Sequence, residues 1–193
     1  MILIVDMNWK QVSLAYSEFV APIVSIVEQL EECEVKHFSQ LTSVCFNNYS
    51  KIILSGTTLK DFTTLDQTEK FSWVETFDKP ILGICAGIET IGKVLGVPLC
   101  SCLQIGMIEI VTVAANPLFK GTFNAYALHS LTLEPSKAFT VLARSDRCIE
   151  AVKHKNKPIY GVLFHPEARN PDILQHFIQL EWPAPNCLPG VKS

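Results

Sequence analysis

Pro80-Ile81-Leu82-Gly83-Ile84-Cys85-Ala86-Gly87 is the stretch on which the fold turns. Pro80–Cys85 reads as a short apolar strand, buried on both faces. It runs directly into a predicted helix, Ala86–Leu95, which Gly96 ends. A cysteine at such a junction sits on a sharp elbow. Gly83 and Gly87 flank it because the elbow leaves no room for side chains there. The helix points its free N–H groups at the sulfur, and their partial positive charge favours a thiolate. The Ala86 N–H is the obvious donor to a developing oxyanion.

Eighty residues further on stands Pro158-Ile159-Tyr160-Gly161-Val162-Leu163-Phe164-His165-Pro166-Glu167. It reads as a second buried strand, with Pro166 helping to end it. In extended geometry His165 and Glu167 point the same way. The carboxylate can then fix the imidazole tautomer while the other ring nitrogen faces a sulfur. Cys85, His165 and Glu167 together read as nucleophile, base and orienting acid, the set of a cysteine hydrolase.

Around these motifs the chain alternates. Ile2–Asp6, Glu34–Phe38, Lys51–Ser55 and Pro80–Cys85 are predicted strands. Tyr16–Glu32 is a predicted helix that begins or bends at Pro22, and Asp66–Phe77 is another. The pattern indicates a parallel sheet covered on both faces. The second half is richer in strands: Ile105–Val113, Ala125–Leu133, Thr140–Arg144, Ile149–His154 and Ile159–Phe164. A last helix is predicted over Asp172–Leu180, followed by an extended, proline-containing tail, Trp182–Ser193. The expected fold class is α/β, three-layered and flavodoxin-like, with a mixed, mostly parallel central sheet. Residues 1–193 are expected to form a single domain.

Composition narrows the partners. The 193 residues are 48% hydrophobic and 18% charged, with a net charge of −3. That suits a globular core and gives no basic surface for nucleic acid or anionic membranes. No apolar run approaches the roughly 18–20 residues that span a bilayer. Met1–Asp6 reads as a first core strand and not as a leader. The seven cysteines show no zinc-type pairing, since Cys100-Ser101-Cys102 stands alone. They read as reduced thiols in a cytoplasmic protein, with no metal site or cofactor expected. His37, His154 and His176 read as surface or filler residues.

Pro80–Gly87 and Tyr160–Glu167 resemble the nucleophile and histidine–glutamate motifs of the class I glutamine amidotransferases. The resemblance covers nearly the whole chain. The opening strand, Ile52-Ile53-Leu54-Ser55-Gly56 and Asn116-Pro117-Leu118-Phe119-Lys120-Gly121 all fall in family order. Val141–Glu167 is most similar to the glutaminase part of GMP synthetases, and His129-Ser130 to the anthranilate synthase type. The resemblance implies L-glutamine as substrate. Cys85 would attack the side-chain amide, His165 would protonate the leaving ammonia, and water would hydrolyse the γ-glutamyl thioester. The ammonia would pass to a separate, ATP-dependent synthetase subunit, of the GMP synthetase type. The family also implies substrate contacts around His129-Ser130-Leu131 and near Gln104-Ile105-Gly106.

Two positions depart from the family pattern. Its oxyanion loop is usually glycine-rich, whereas this chain has Gly56-Thr57-Thr58-Leu59. The Thr57 backbone N–H can still donate, but threonine resists positive φ. The family usually has Gln four residues after the nucleophile, and this chain has Glu89. On a helix that position shares a face with Cys85. An ionised Glu89 opposes the thiolate. Alternatively it grips the substrate's α-ammonium, is protonated when buried, or turns to solvent. Two other functions stay open: a stand-alone γ-glutamyl or amide hydrolase, and a non-catalytic relative with an altered pocket.

Overall fold

The computed structural model describes residues 1–182. In chain order they form β1 (Ile2–Asp6), α1 (Leu14–Phe19), α2 (Ala21–Val27), β2 (Cys33–His37), β3 (Lys51–Leu54), α3 (Thr63–Asp66), β4 (Ile81–Ile84), α4 (Ala86–Val94), β5 (Leu99–Thr112), β6 (Thr122–Leu133), β7 (Phe139–Arg144), β8 (Ile149–His154), β9 (Ile159–Val162), α5 (Pro166–Arg169) and α6 (Pro171–Gln179). Short 3₁₀ segments lie at Phe38–Ser43, Phe46–Asn48 and Thr68–Glu75. The predicted tail falls outside the described residues except for Trp182.

The strands form one sheet in the order β2-β1-β3-β4-β9-β8-β7-β5-β6. From β2 to β9 every pairing is parallel, in the strand order of a flavodoxin-like sheet. From β9 to β6 every pairing is antiparallel. The mixed α/β fold is as expected, and its antiparallel share equals its parallel one in number of pairings.

The apolar strands alternate between two cores. Ile2 and Ile4 of β1 join one, with α2 and α6. Leu3 and Val5 join the other, with α4 and the Thr68–Glu75 segment. A period of two sends successive side chains to opposite faces, so a strand buried on both must be apolar throughout. In α4, Ile88 and Ile91 are fully buried; each contributes about 1.5–3 kcal/mol by leaving water.

Two predicted helices differ from the structure. Tyr16–Glu32 is broken at Val20 into α1 and α2, and Pro22 lies in the first turn of α2. Proline lacks an N–H and is tolerated at a helix start rather than its interior. Asp66–Phe77 is a 3₁₀ segment preceded by the single turn of α3. No helix among the described residues is long and apolar enough to cross a membrane.

Candidate active site

Three neighbouring parallel strands deliver the site. Leu54 of β3 pairs with Gly83 of β4, and Gly83 with Gly161 of β9. Just past their carboxyl ends come Gly56, Cys85 and His165, where ligands gather in open α/β sheets. Cys85 caps α4 at φ 47°, ψ −109°. A non-glycine residue there is strained by about 1–3 kcal/mol and is held by its surroundings. The Cys85 N–H donates to Val162 O at 2.8 Å, and the Cys85 carbonyl accepts from Ile88 and Glu89 at 3.1 Å. The helix approaches the sheet closely because two facing positions lack side chains. A Cβ on Gly83 would lie 2.6 Å from the Ile88 nitrogen, and one on Gly161 would overlap the Ile88 side chain.

His165 is 1% exposed. Its N–H donates to Tyr126 O at 2.8 Å, and its ring packs against Phe19 and Tyr126. Nδ1 lies 2.8 Å from Glu167 Oε1, so Nδ1 carries the proton and Nε2 is free to act as base. Nε2 is buried without a hydrogen-bond partner among the described residues. The His165–Glu167 contact does not come from an extended strand as predicted. β9 ends at Val162, His165 caps α5, and Glu167 lies in that helix's first turn.

Gly56 joins the two halves of the site. A Cβ there would lie 2.5 Å from His165 Cε1, 3.1 Å from Nδ1 and 3.5 Å from Cys85 Cβ. The next residue, Thr57, does not take a positive φ; among described non-glycine residues only Val12 and Cys85 do. Its hydroxyl instead reaches Thr58 O at 3.2 Å and Asp61 O at 3.3 Å. The Asp61 carboxylate accepts from the Trp9 and Thr63 N–H groups.

Beside the sulfur lies a cavity of about 10 Å³, at the lower limit for one water. Thr57, Ala86, Glu89, His129 and Ser130 line it with Cys85, and Leu59, Asp61, Phe62 and Leu128 close it. The thiol donates to Leu128 O at 3.5 Å. Burial pushes the Cys85 thiol well above its ordinary range, and Glu89 adds to this. The Ala86 backbone N–H pulls the other way.

Glu89 is buried and faces this cavity rather than solvent. Burial pushes its carboxyl up to about 7, against His129 and His165, which favour the charged form. Gln104 and Leu131 do not line the cavity. The Gln104 amide is held by the Glu150 carboxylate and by Ser145 Oγ, the latter at 3.1 Å. The Leu131 carbonyl accepts from His129 Nδ1 at 3.0 Å. Glu150 was missed from sequence; an ionisable residue inside the apolar run Ile149–Val152 was the available signal.

A strained cysteine at a helix N-terminus, with an imidazole and carboxylate across one glycine, is the arrangement of a cysteine-nucleophile α/β enzyme of acyl transfer. The family model described as glutamine amidotransferase class-I matches residues 15–181, and the chain belongs to that family. The glutamine-hydrolyzing GMP synthase subunit of Methanococcus maripaludis strain C6 is 35% identical over 178 residues, covering 86% of this chain and 87% of that protein. The protein of the same name from Pyrococcus furiosus is 38% identical over 117 residues, covering 55% of this chain. That match spans only 62% of the relative's length. Among solved structures, a Thermoplasma acidophilum chain provisionally assigned as the same kind of GMP synthase subunit has a TM-score of 0.79 at 20% identity, covering 92% of each chain. A glutamine amidotransferase from Thermotoga maritima has a TM-score of 0.67 at 18% identity, covering 86% of this chain and 76% of that one. These two share the fold.

Proposed function

We propose that the chain is a glutaminase subunit that hydrolyses L-glutamine and passes ammonia to a separate synthetase subunit, of the GMP-forming type. The observation that carries this reading is the junction at Gly56, where the strained Cys85 and the Glu167-bound His165 meet across one Cα. The curated relatives, named as glutamine-hydrolyzing GMP synthase subunits, support the choice of partner.

In this reading Cys85 gives its proton to His165 Nε2 and adds to the side-chain amide carbon. The Ala86 and Thr57 N–H groups hold the oxyanion, with Gly56 leaving room. The imidazolium then protonates the departing nitrogen, and ammonia leaves a γ-glutamyl thioester. Water, deprotonated by His165, attacks that thioester and releases glutamate. Glu167 keeps Nδ1 protonated and stabilises the imidazolium. Glu89 and the backbone around His129-Ser130 hold the amino-acid end.

A cavity of about 10 Å³ cannot hold glutamine. The Thr57–Phe62 loop must therefore open, which favours a subunit switched on by its synthetase over a stand-alone hydrolase. The test is ammonia release by the isolated chain, then with the GMP-forming synthetase of the same source supplied with ATP and nucleotide. Low release that rises with the synthetase is the expected result. High release that no synthetase changes would overturn the coupling. No alkylation of Cys85 by a glutamine-mimicking electrophile, with or without synthetase, would overturn the chemistry.

A further inference from the structure

Behind the cavity, sharing the His129 ring with it, lies a cluster whose Cys148 and Glu150 the glutamine chemistry does not use. His129 on β6, Glu150 on β8 and Cys148 in the turn before β8 bring their donor atoms within 4.8 Å of one another. His129 Nε2 lies 3.5 Å from Glu150 Oε2. The Cys148 sulfur lies 3.3 Å from Glu150 Oε1. Zinc bonds of about 2.0–2.3 Å place tetrahedral ligand atoms about 3.3–3.8 Å apart.

Two of these atoms lack partners. His129 Nε2 and Glu150 Oε2 are buried and accept or donate no hydrogen bond among the described residues. Both side chains are wholly shielded from solvent. Among the described residues no lysine or arginine pairs with Glu150; its one ionic contact is the His129 ring. A buried carboxylate without a firm cation is costly.

The surroundings resemble the outer shell of a metal centre. His129 Nδ1 donates to the Leu131 carbonyl at 3.0 Å, which leaves the Nε2 lone pair aimed inward. Glu150 Oε1 is held by Gln104 Nε2 and by Ser145 Oγ, the latter at 3.0 Å.

We propose that His129 Nε2, Cys148 Sγ and Glu150 Oε2 bind a divalent ion of the zinc class. Three protein ligands and a water complete a tetrahedron. The ion ties β6 to the start of β8 and holds His129, hence Ser130, against the cavity. Its charge also offsets that of Glu150, whose field opposes a thiolate at Cys85. The ligands come from two strands and the turn before one of them, so no short spacing motif announces them.

The test uses the full chain, purified reduced and without chelator. Metal analysis is expected to find about one zinc per chain. The stripped protein should rebind zinc with a dissociation constant of about 10 nM or tighter. Cobalt in its place should show intense visible bands and a thiolate charge-transfer band. Cys148→Ser should abolish tight binding and the charge-transfer band, whereas Cys45→Ser, at an exposed position, should change nothing. X-ray absorption of the zinc-loaded wild type should show one sulfur and three nitrogen or oxygen neighbours, a readout that needs no variant to fold. Zinc binding weaker than micromolar in the reduced wild type, a first shell without sulfur, or unchanged binding in a folded Cys148→Ser would each overturn the proposal. The cluster would then be a His129–Glu150 ion pair alone.

Discussion

The Glu89 carboxyl faces the same narrow cavity as the Cys85 sulfur, one turn further along α4, and pushes the thiol away from its charged form. Both groups are buried, so neither is screened by water. Cys85 and its neighbour on the helix therefore compete: a carboxylate at Glu89 disfavours a thiolate at Cys85. Glu89 loses its proton near pH 7, so this competition sets in within the physiological range.

Glu89→Gln should raise ammonia release from glutamine in a pH-dependent way. Below about pH 6 the wild-type carboxyl is neutral, and the two proteins should differ little. Above about pH 8 it is charged, and the variant should be faster by roughly tenfold, the effect of one pKa unit at the cysteine. Rates measured with the synthetase present across about pH 6–9 check this. A constant ratio across that range would refute it.

The same substitution should change stability with pH. The folded-state pKa of Glu89, about 7, lies above its unfolded value, so the folded state holds this proton more tightly. The stability it brings is complete below the unfolded pKa and is lost as pH rises through 7. Glu89→Gln should therefore match wild type near pH 4 and exceed it by about 3 kcal/mol at pH 8. Urea midpoints at several pH values measure this.

Cys85→Gly should be more stable than Cys85→Ala by about 1 kcal/mol. Both remove the sulfur, but only glycine accepts φ 47°, ψ −109° without strain. Neither variant should react with a glutamine-mimicking electrophile. Equal stability would mean that the elbow is unstrained.

Gly56→Ala should cripple the site while keeping the fold. The new methyl would meet His165 Cε1 at 2.5 Å and Cys85 Cβ at 3.5 Å, so the imidazole must shift. A displacement of about 1 Å costs on the order of a hundredfold in rate. Stability should fall by about 1–3 kcal/mol, the usual cost of overpacking. Alkylation of Cys85 and steady-state rates, beside circular dichroism, separate the two effects.

Gly161→Ala tests the seat of α4 and not the chemistry directly. Its methyl would overlap Ile88, forcing α4 off the sheet. A loss of about 1–3 kcal/mol in urea stability is expected. Ile88→Ala in the same chain should recover part of it, because it vacates the space that the methyl needs.

Much of the fold was legible because its signals are local. Ile2–Val5 and Ile81–Ile84 are apolar throughout and form central strands buried on both faces. Gly96, at φ 71°, follows the last residues of α4 as a left-handed stop. Where a propensity signal met tertiary packing, the reading slipped. Thr68–Glu75 became a 3₁₀ segment, and the expected helix over Tyr16–Glu32 divided at Val20. Gln104 was expected near the substrate but is turned to Glu150. Such a contact joins residues from different strands, and spacing along the chain carries no record of it.

Sequence alone determined the elbow at Cys85, the pairing of His165 with Glu167 and the family. The first two depend on residues within a few positions of one another, where backbone geometry leaves few choices, and the family on such short motifs in a fixed order along the chain. Tertiary structure alone decided that Gly56 lies between Cys85 and His165, and that the cavity is narrow. It also turned Glu89 inward and gathered His129, Cys148 and Glu150 behind the site. These depend on the register of parallel strands and on burial, which raises the cost of charge and so sets the state of Glu89. Neither register nor burial belongs to any single stretch of the chain.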